Sequence, residues 1–202
     1  MTSVSSISVL PSDKRIAIFA SGAGTNAKKI IEHLSQHPFI KVQLIVCNKP
    51  TAGVLDIAAA NKIAAILIDK EKFFRGTGYA DELKEAQIDF IVLAGFLWKI
   101  PQTLIDAYPN RIVNIHPALL PQFGGKGMYG AKVHEAVIAA GENESGITIH
   151  YVDEHYDNGD VIFEATCPVF KDDTPESLAE RIHKLEHEYY PKIVEQLVSR
   201  SD

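Results

Sequence analysis

Four short runs constrain this chain more than anything else in it. Residues 15–20 (RIAIFA), 41–47 (KVQLIVC), 89–93 (DFIVL) and 112–115 (IVNI) are almost continuously apolar. Between the first three lie segments with apolar residues at helical spacing, such as Ile30, Ile31 and Leu34. A strand that is apolar on both sides needs cover on both faces. Strands of that kind alternating with helices specify a parallel sheet between helical layers. Residues 53–61 read as a further helix, 65–68 as a further strand, 71–78 as a polar loop and 79–86 as a helix. Pro101 suits the first turn of another helix.

The pattern changes after His116. Residues 117–130 form a loop carrying Gly124, Gly125, Gly127 and Gly130, and 133–140 read as a helix. Residues 146–152 (GITIHYV) alternate apolar and polar, as a half-exposed antiparallel strand does, and 161–169 form another strand. Thr174 and Pro175 open a last helix, with Leu178, Ile182, Leu185 and Tyr189 on one face and Pro191 expected to kink or interrupt it. The expected fold is therefore α/β: an open, mostly parallel, twisted Rossmann-like sheet with helices on both faces and antiparallel strands toward the C-terminus. Residues 1–14 read as a mobile tail and 15–202 as one domain.

Charge narrows the function. The chain carries a net charge of −6, which disfavours a nucleic-acid partner. No apolar run reaches membrane-spanning length, and no export signal opens the chain, so a cytoplasmic setting is expected. The two cysteines, Cys47 and Cys167, read as reduced and buried. No Cys/His spacing resembles a zinc site, and no metal is expected. The sequence leaves oligomeric state open.

Ligands of open α/β sheets bind beyond the carboxyl ends of the strands. Three features fall there. The turn Ser21-Gly22-Ala23-Gly24-Thr25-Asn26 joins the first strand to the first helix, and its backbone N–H groups suit an anion. It lacks the Gly-Lys-Ser/Thr of a Walker A loop, and Ala27 stands where a dinucleotide fingerprint needs glycine. A single phosphate fits; a plain turn with Thr25 or Asn26 capping the helix also fits. Asn114 and His116, two apart on a strand, share a face and offer an amide donor and an imidazole. Asp157, in Tyr156-Asp157-Asn158-Gly159, is either a turn carboxylate or a partner that favours the charged form of His116 and raises its pKa. Trp98 reads as core or as one wall of a pocket for a flat ligand. Glu186 and His187 lie on a solvated helix face, or one of them points to the core side or a site rim, and Asp153, Glu154, His155 and Asp160 read as an acidic loop.

The motifs SGAGTN (21–26), LAGF (93–96), NIHPALLP (114–121) and DNG (157–159), in this order and spacing, resemble those of the formyltetrahydrofolate-dependent formyltransferases, and among them the glycinamide ribonucleotide transformylase group. The resemblance covers nearly the whole chain from Arg15. It implies transfer of a formyl group from 10-formyltetrahydrofolate, as co-substrate, to the amine of glycinamide ribonucleotide in purine synthesis. It implies catalytic roles for Asn114, His116 and Asp157, and ribonucleotide contacts from Gly24, Thr25, Asn26 and Glu186. Folate contacts would come from Leu97, Trp98, Lys99, Ile100, Asn114, Asp153 and Asp157, and from Arg75 as the arginine nearest before Tyr79. The alternative within the same fold is a formyl-folate hydrolase or a formyltransferase for another amine. The short span before the first strand and the end near the last helix are expected of neither the hydrolase nor the transfer-RNA-directed relatives.

Overall fold

The computed structural model describes residues 13–201. The expected tail lies outside the described residues except at its end, where Lys14 already belongs to the first strand. Seven strands form one sheet: β1 (Lys14–Ala20), β2 (Ile40–Cys47), β3 (Ala64–Leu67), β4 (Phe90–Leu93), β5 (Ile112–His116), β6 (Glu144–Tyr151) and β7 (Val161–Pro168). Their order is β3-β2-β1-β4-β5-β6-β7. β1 to β5 pair in parallel, while β5–β6 and β6–β7 are antiparallel. This is the architecture expected from the apolar runs.

Among the described residues there are also seven helices: α1 (Thr25–Leu34), α2 (Val54–Ala60), α3 (Lys70–Arg75), α4 (Ala80–Glu85), α5 (Gln102–Ala107), α6 (Ala131–Ala139) and α7 (Pro175–Arg200). The pleat of β1 divides them into layers. Ile16, Ile18 and Ala20 pack with residues of α1, α2 and α7, whereas Ala17 and Phe19 pack with Phe73, Leu83 and Leu104 on the opposite face. Every β1 side chain from Ile16 to Ala20 is fully buried, which is why the run tolerates no polar residue. Cys47 and Cys167 are buried and unpaired, as expected. Among the described residues, no helix is long and apolar enough to cross a membrane.

Three local expectations are corrected. Residues 70–75 form α3 rather than a polar loop. Asp69 caps it by accepting from the Lys72 N–H at 3.0 Å, and Phe73 anchors it in the core, so one apolar side chain outweighs four charged ones. α7 continues through Pro191 without interruption. The stripe on both sides of the proline, Tyr190, Val194 and Val198, is buried and holds the helix in place. That stripe is also rotated from the expected one. Leu178, Ile182, Glu186, Tyr190, Val194 and Val198 face inward, while Leu185 and Tyr189 are only partly buried. The helix is fixed to the sheet at depth, because the buried Tyr190 hydroxyl donates to the Leu93 carbonyl at 2.8 Å.

Candidate active site

The chain runs from β1 out to β3, then returns to lay β4 on the other side of β1. The crevice at this reversal is where such sheets bind ligands. A cleft of about 680 Å³ opens there, lined by residues 21–26, by Ala94 to Leu97, by Asn114 to Pro117, by the glycine-rich segment 125–130 and by Tyr156, Asp157, His183 and Glu186.

At one end stands the 21–26 turn. Gly24 takes φ +76°, a left-handed conformation open to glycine, and any Cβ there would approach Val54 to 2.8 Å. Gly24 is itself the N-cap of α1 and provides no side-chain cap. The reading in which Thr25 or Asn26 caps the helix is therefore not realised; both belong to its first turn. Lys28 is bonded back to the Gly24 carbonyl at 2.8 Å, and the helix N-terminus faces the cleft. Asn26 donates to Glu186 at 3.0 Å, which joins the turn to α7. Burial pushes the Glu186 carboxyl above its ordinary range, and the Asn26 hydrogen bond opposes that shift. Glu186 is thus no solvated-face residue: it lies on the buried stripe, four residues after Ile182.

At the other end, β5 presents Asn114 and His116. β6 answers in antiparallel register, with His150 opposite Asn114 and Thr148 opposite His116. The Asn114 amide nitrogen lies 3.1 Å from His150 Nε2. His150 Nδ1 lies 2.8 Å from the Tyr151 carbonyl, which accepts only a proton-bearing nitrogen. The neutral ring then carries its proton on Nδ1, and Nε2 accepts from the Asn114 amide. Burial lowers the His150 pKa, consistent with that neutral form.

His116 is held in a complementary way. Its Nε2 donates to the Phe123 carbonyl at 2.8 Å, and its Nδ1 lies 3.6 Å from Asp157 Oδ2. The Asp157 carboxylate also accepts from the Gly125 N–H at 2.9 Å and lies 3.7 Å from His150. Asp157 and His116 therefore do meet. Asp157 acts on His116 in the expected direction, favouring its charged form, but burial outweighs it and drives the His116 pKa below its ordinary value. The resting ring is neutral at Nδ1 and faces a carboxylate that favours its protonation.

The expected folate residues divide. Leu97 lines the cleft, and its N–H donates to Ser21 Oγ at 2.9 Å, locking the 94–97 turn to the end of β1. Ile100 is buried in the core, and Trp98 packs against Phe73, Phe74 and Phe96, outside the cleft wall. Lys99 reaches over the Tyr156 ring, 5.8 Å from its centroid, and so connects the two loops at the cleft mouth. Asp153 accepts from the His155 N–H and from Asn158, bracing its own loop. Arg75 is on α3, exposed and paired with Glu71 at 3.2 Å, away from the cleft.

The sequence reading passed over His150, Thr148 and Lys49. His150 and Thr148 had a legible signal, since both fall on the same face of an alternating strand. Thr148 donates to Ala118 at 2.8 Å and accepts from the Leu120 N–H at 3.0 Å, so it positions the turn after His116. Lys49 follows β2 and lines the cleft beside the 21–26 turn, where nothing local marks it.

This sheet, with a glycine turn at a helix N-terminus and a polar trio in one cleft, has the arrangement of the formyl transferase class. The sequence matches the family described as "Formyl transferase" over residues 14–194, and the chain belongs to that family. It is 43% identical over 190 residues to the chloroplastic phosphoribosylglycinamide formyltransferase of Arabidopsis thaliana, covering 91% of this chain and 65% of that protein. It thus spans less than two thirds of the plant relative's length. The Bacillus subtilis phosphoribosylglycinamide formyltransferase is 36% identical, over 92% of this chain and 95% of that protein. The crystal structure of glycinamide ribonucleotide transformylase 1 from Geobacillus kaustophilus superposes with a TM-score of 0.84 at 40% identity, over 92% of this chain and 99% of that one.

Proposed function

We propose that this protein transfers the formyl group of 10-formyltetrahydrofolate to the primary amine of glycinamide ribonucleotide, the activity named in the relatives. The observation that carries the reading is the convergence of Asn114, His116 and Asp157 at one end of a cleft whose other end is a glycine turn and helix N-terminus. A phosphate seated on Gly24, Thr25 and Asn26, beside Lys49, would place the nucleotide's amine toward His116. Glu186 holds Asn26 and so shapes the nucleotide end. The folate enters past Leu97, Lys99 and Tyr156. Residues 15–202 act as one catalytic domain, in the cytoplasm.

The amine nitrogen attacks the formyl carbon, and the carbonyl oxygen becomes an oxyanion. One Asn114 N–H is engaged by His150, which leaves the second for that oxyanion. A donor of this kind contributes roughly 3–4 kcal/mol in the transition state. The attacking amine must lose a proton, and the folate nitrogen must gain one as its bond to the formyl carbon breaks. His116 Nδ1, neutral at rest, accepts the first, and Asp157 stabilises the resulting imidazolium until the proton passes to the folate nitrogen.

Tetrahydrofolate release is the test, measured with 10-formyltetrahydrofolate, with and without glycinamide ribonucleotide, in the wild type and His116→Ala. Release that requires the ribonucleotide and is abolished in the variant is expected. Release into water alone assigns a hydrolase instead.

A further inference from the structure

His134 has no role in the chemistry just described, yet it is placed for one. It lies on α6, lines the cleft and is only 3% exposed. Its Nδ1 is buried without a hydrogen-bond partner among the described residues. An unmade hydrogen bond of this kind costs about 1–3 kcal/mol, and proteins rarely leave one where nothing offsets it. A fully covered Nδ1 leaves Nε2 as the nitrogen through which the ring can reach a ligand. The less costly tautomer puts the proton on that Nε2, so the ring offers a donor to the cleft.

The location narrows the ligand. Its helix packs against α7, which carries His183 and, one turn later, Glu186, and the ring lines the same cleft as His116. It therefore stands between the nucleotide end and the reacting end. Burial, then His183 and His116, hold its pKa down at about 4, so at physiological pH it offers a neutral N–H donor rather than a charge. Between the phosphate and the amine, a ribonucleotide of this type carries a sugar with two hydroxyls.

We infer that His134 is a substrate-contacting residue that donates a hydrogen bond to a sugar hydroxyl of the nucleotide and so sets the cleft's preference for a ribose. The inference rests on the proposed nucleotide substrate. A single neutral hydrogen bond corresponds to a change of about tenfold in affinity.

Calorimetric titration tests it, with glycinamide ribonucleotide and its 2′-deoxy and 3′-deoxy analogues, against wild type, His134→Leu and His134→Gln. Wild type should lose about tenfold in affinity with one deoxy analogue. His134→Leu should bind the full ribonucleotide about tenfold more weakly and lose nothing further with that analogue. His134→Gln, whose amide nitrogen reaches the Nε2 position, should recover most of the affinity. Thermal denaturation of the ligand-free proteins separates contact from packing: His134→Leu should melt no lower than wild type, since it removes an unpaired polar atom. Unchanged affinity in His134→Leu, or an undiminished penalty for both analogues, would overturn the inference, as would a Gln variant as weak as Leu. Wild type that does not bind glycinamide ribonucleotide at all refutes the substrate reading instead; equal binding by wild type and His134→Leu refutes only the role of His134.

Discussion

Asn114 and His150 face each other across the β5–β6 ladder, and the amide of one meets the imidazole of the other at 3.1 Å. The antiparallel turn of the sheet creates this pair. With Nδ1 of His150 committed to the Tyr151 carbonyl, Nε2 presents a fixed acceptor, and the Asn114 amide is oriented before any substrate arrives.

Replacing His150 by leucine should therefore act on turnover rather than on binding. The Asn114 donor remains but loses its orientation, so part of an oxyanion contribution of about 10²–10³-fold is lost. A fall in kcat of roughly tenfold or more is expected, with the half-saturating nucleotide concentration little changed. Steady-state kinetics with both substrates varied would show it. An unchanged kcat would mean that Asn114 needs no such support.

Asp157→Asn separates charge from shape. The asparagine Oδ1 can still accept from Gly125, so the 123–125 segment should keep its place. What disappears is the charge that raises the His116 pKa against burial. Activity that depends on neutral His116 falls as pH falls through its pKa. Removing Asp157's charge lowers that pKa, so the acidic limb of the pH–rate profile should move to lower pH. At the same time kcat should drop by about 10²-fold or more, because the imidazolium formed during turnover loses its stabilising partner. A limb that moved to higher pH would contradict the proposed proton route.

Much of this was legible before any fold was drawn. Unbroken apolar runs announce strands covered on both faces, and residues at the ends of such strands are where polar groups become functional. Asn114 and His116 are readable on that ground. His150 is harder, because its partner is set by the β5–β6 register, which no local pattern states. Glu186 is the most instructive. Leu178, Ile182, Tyr190, Val194 and Val198 recur at four-residue spacing, and a carboxylate falls in the gap. Choosing Leu185 and Tyr189 as the stripe hides it, since both faces are apolar enough to pass. The net state of His116 is not readable from the sequence for a physical reason. The attraction of Asp157 can be anticipated from chemistry, whereas the opposing desolvation depends on how completely the chain closes over the ring.

The buried carboxyl of Glu186 should leave a signature in stability. Its folded pKa is raised by burial, so the folded state holds a proton that the unfolded state releases above about pH 4.5. Its contribution is fully present below that pH and is lost as pH rises through the folded value. Glutamine mimics the protonated carboxyl and cannot ionise. Glu186→Gln should thus match wild type in melting temperature near pH 4.5 and exceed it at pH 8, in thermal denaturation without ligand. A variant less stable at both pH values would show that the ionised form is the one the fold requires.

Gly24→Ala should damage the nucleotide end alone. The residue has φ +76°, and an added Cβ would come within 2.8 Å of Val54 Cβ and 2.9 Å of its backbone Cα. Backbone does not yield as a flexible side-chain end does, so the turn must shift or α2 must move. The left-handed conformation adds a further cost of about 1 kcal/mol for a residue with a Cβ. Because the first N–H groups of α1 follow this turn, the shift would reach the proposed phosphate seat directly. Titration with glycinamide ribonucleotide should show at least a tenfold loss of affinity, and inorganic phosphate should compete less well than against wild type. Affinity for 10-formyltetrahydrofolate should change less, since Lys99 and Tyr156 stand at the cleft mouth rather than on this turn. Equal weakening of both ligands would instead mean that the cleft responds as one rigid unit, and that the glycine turn positions the whole site.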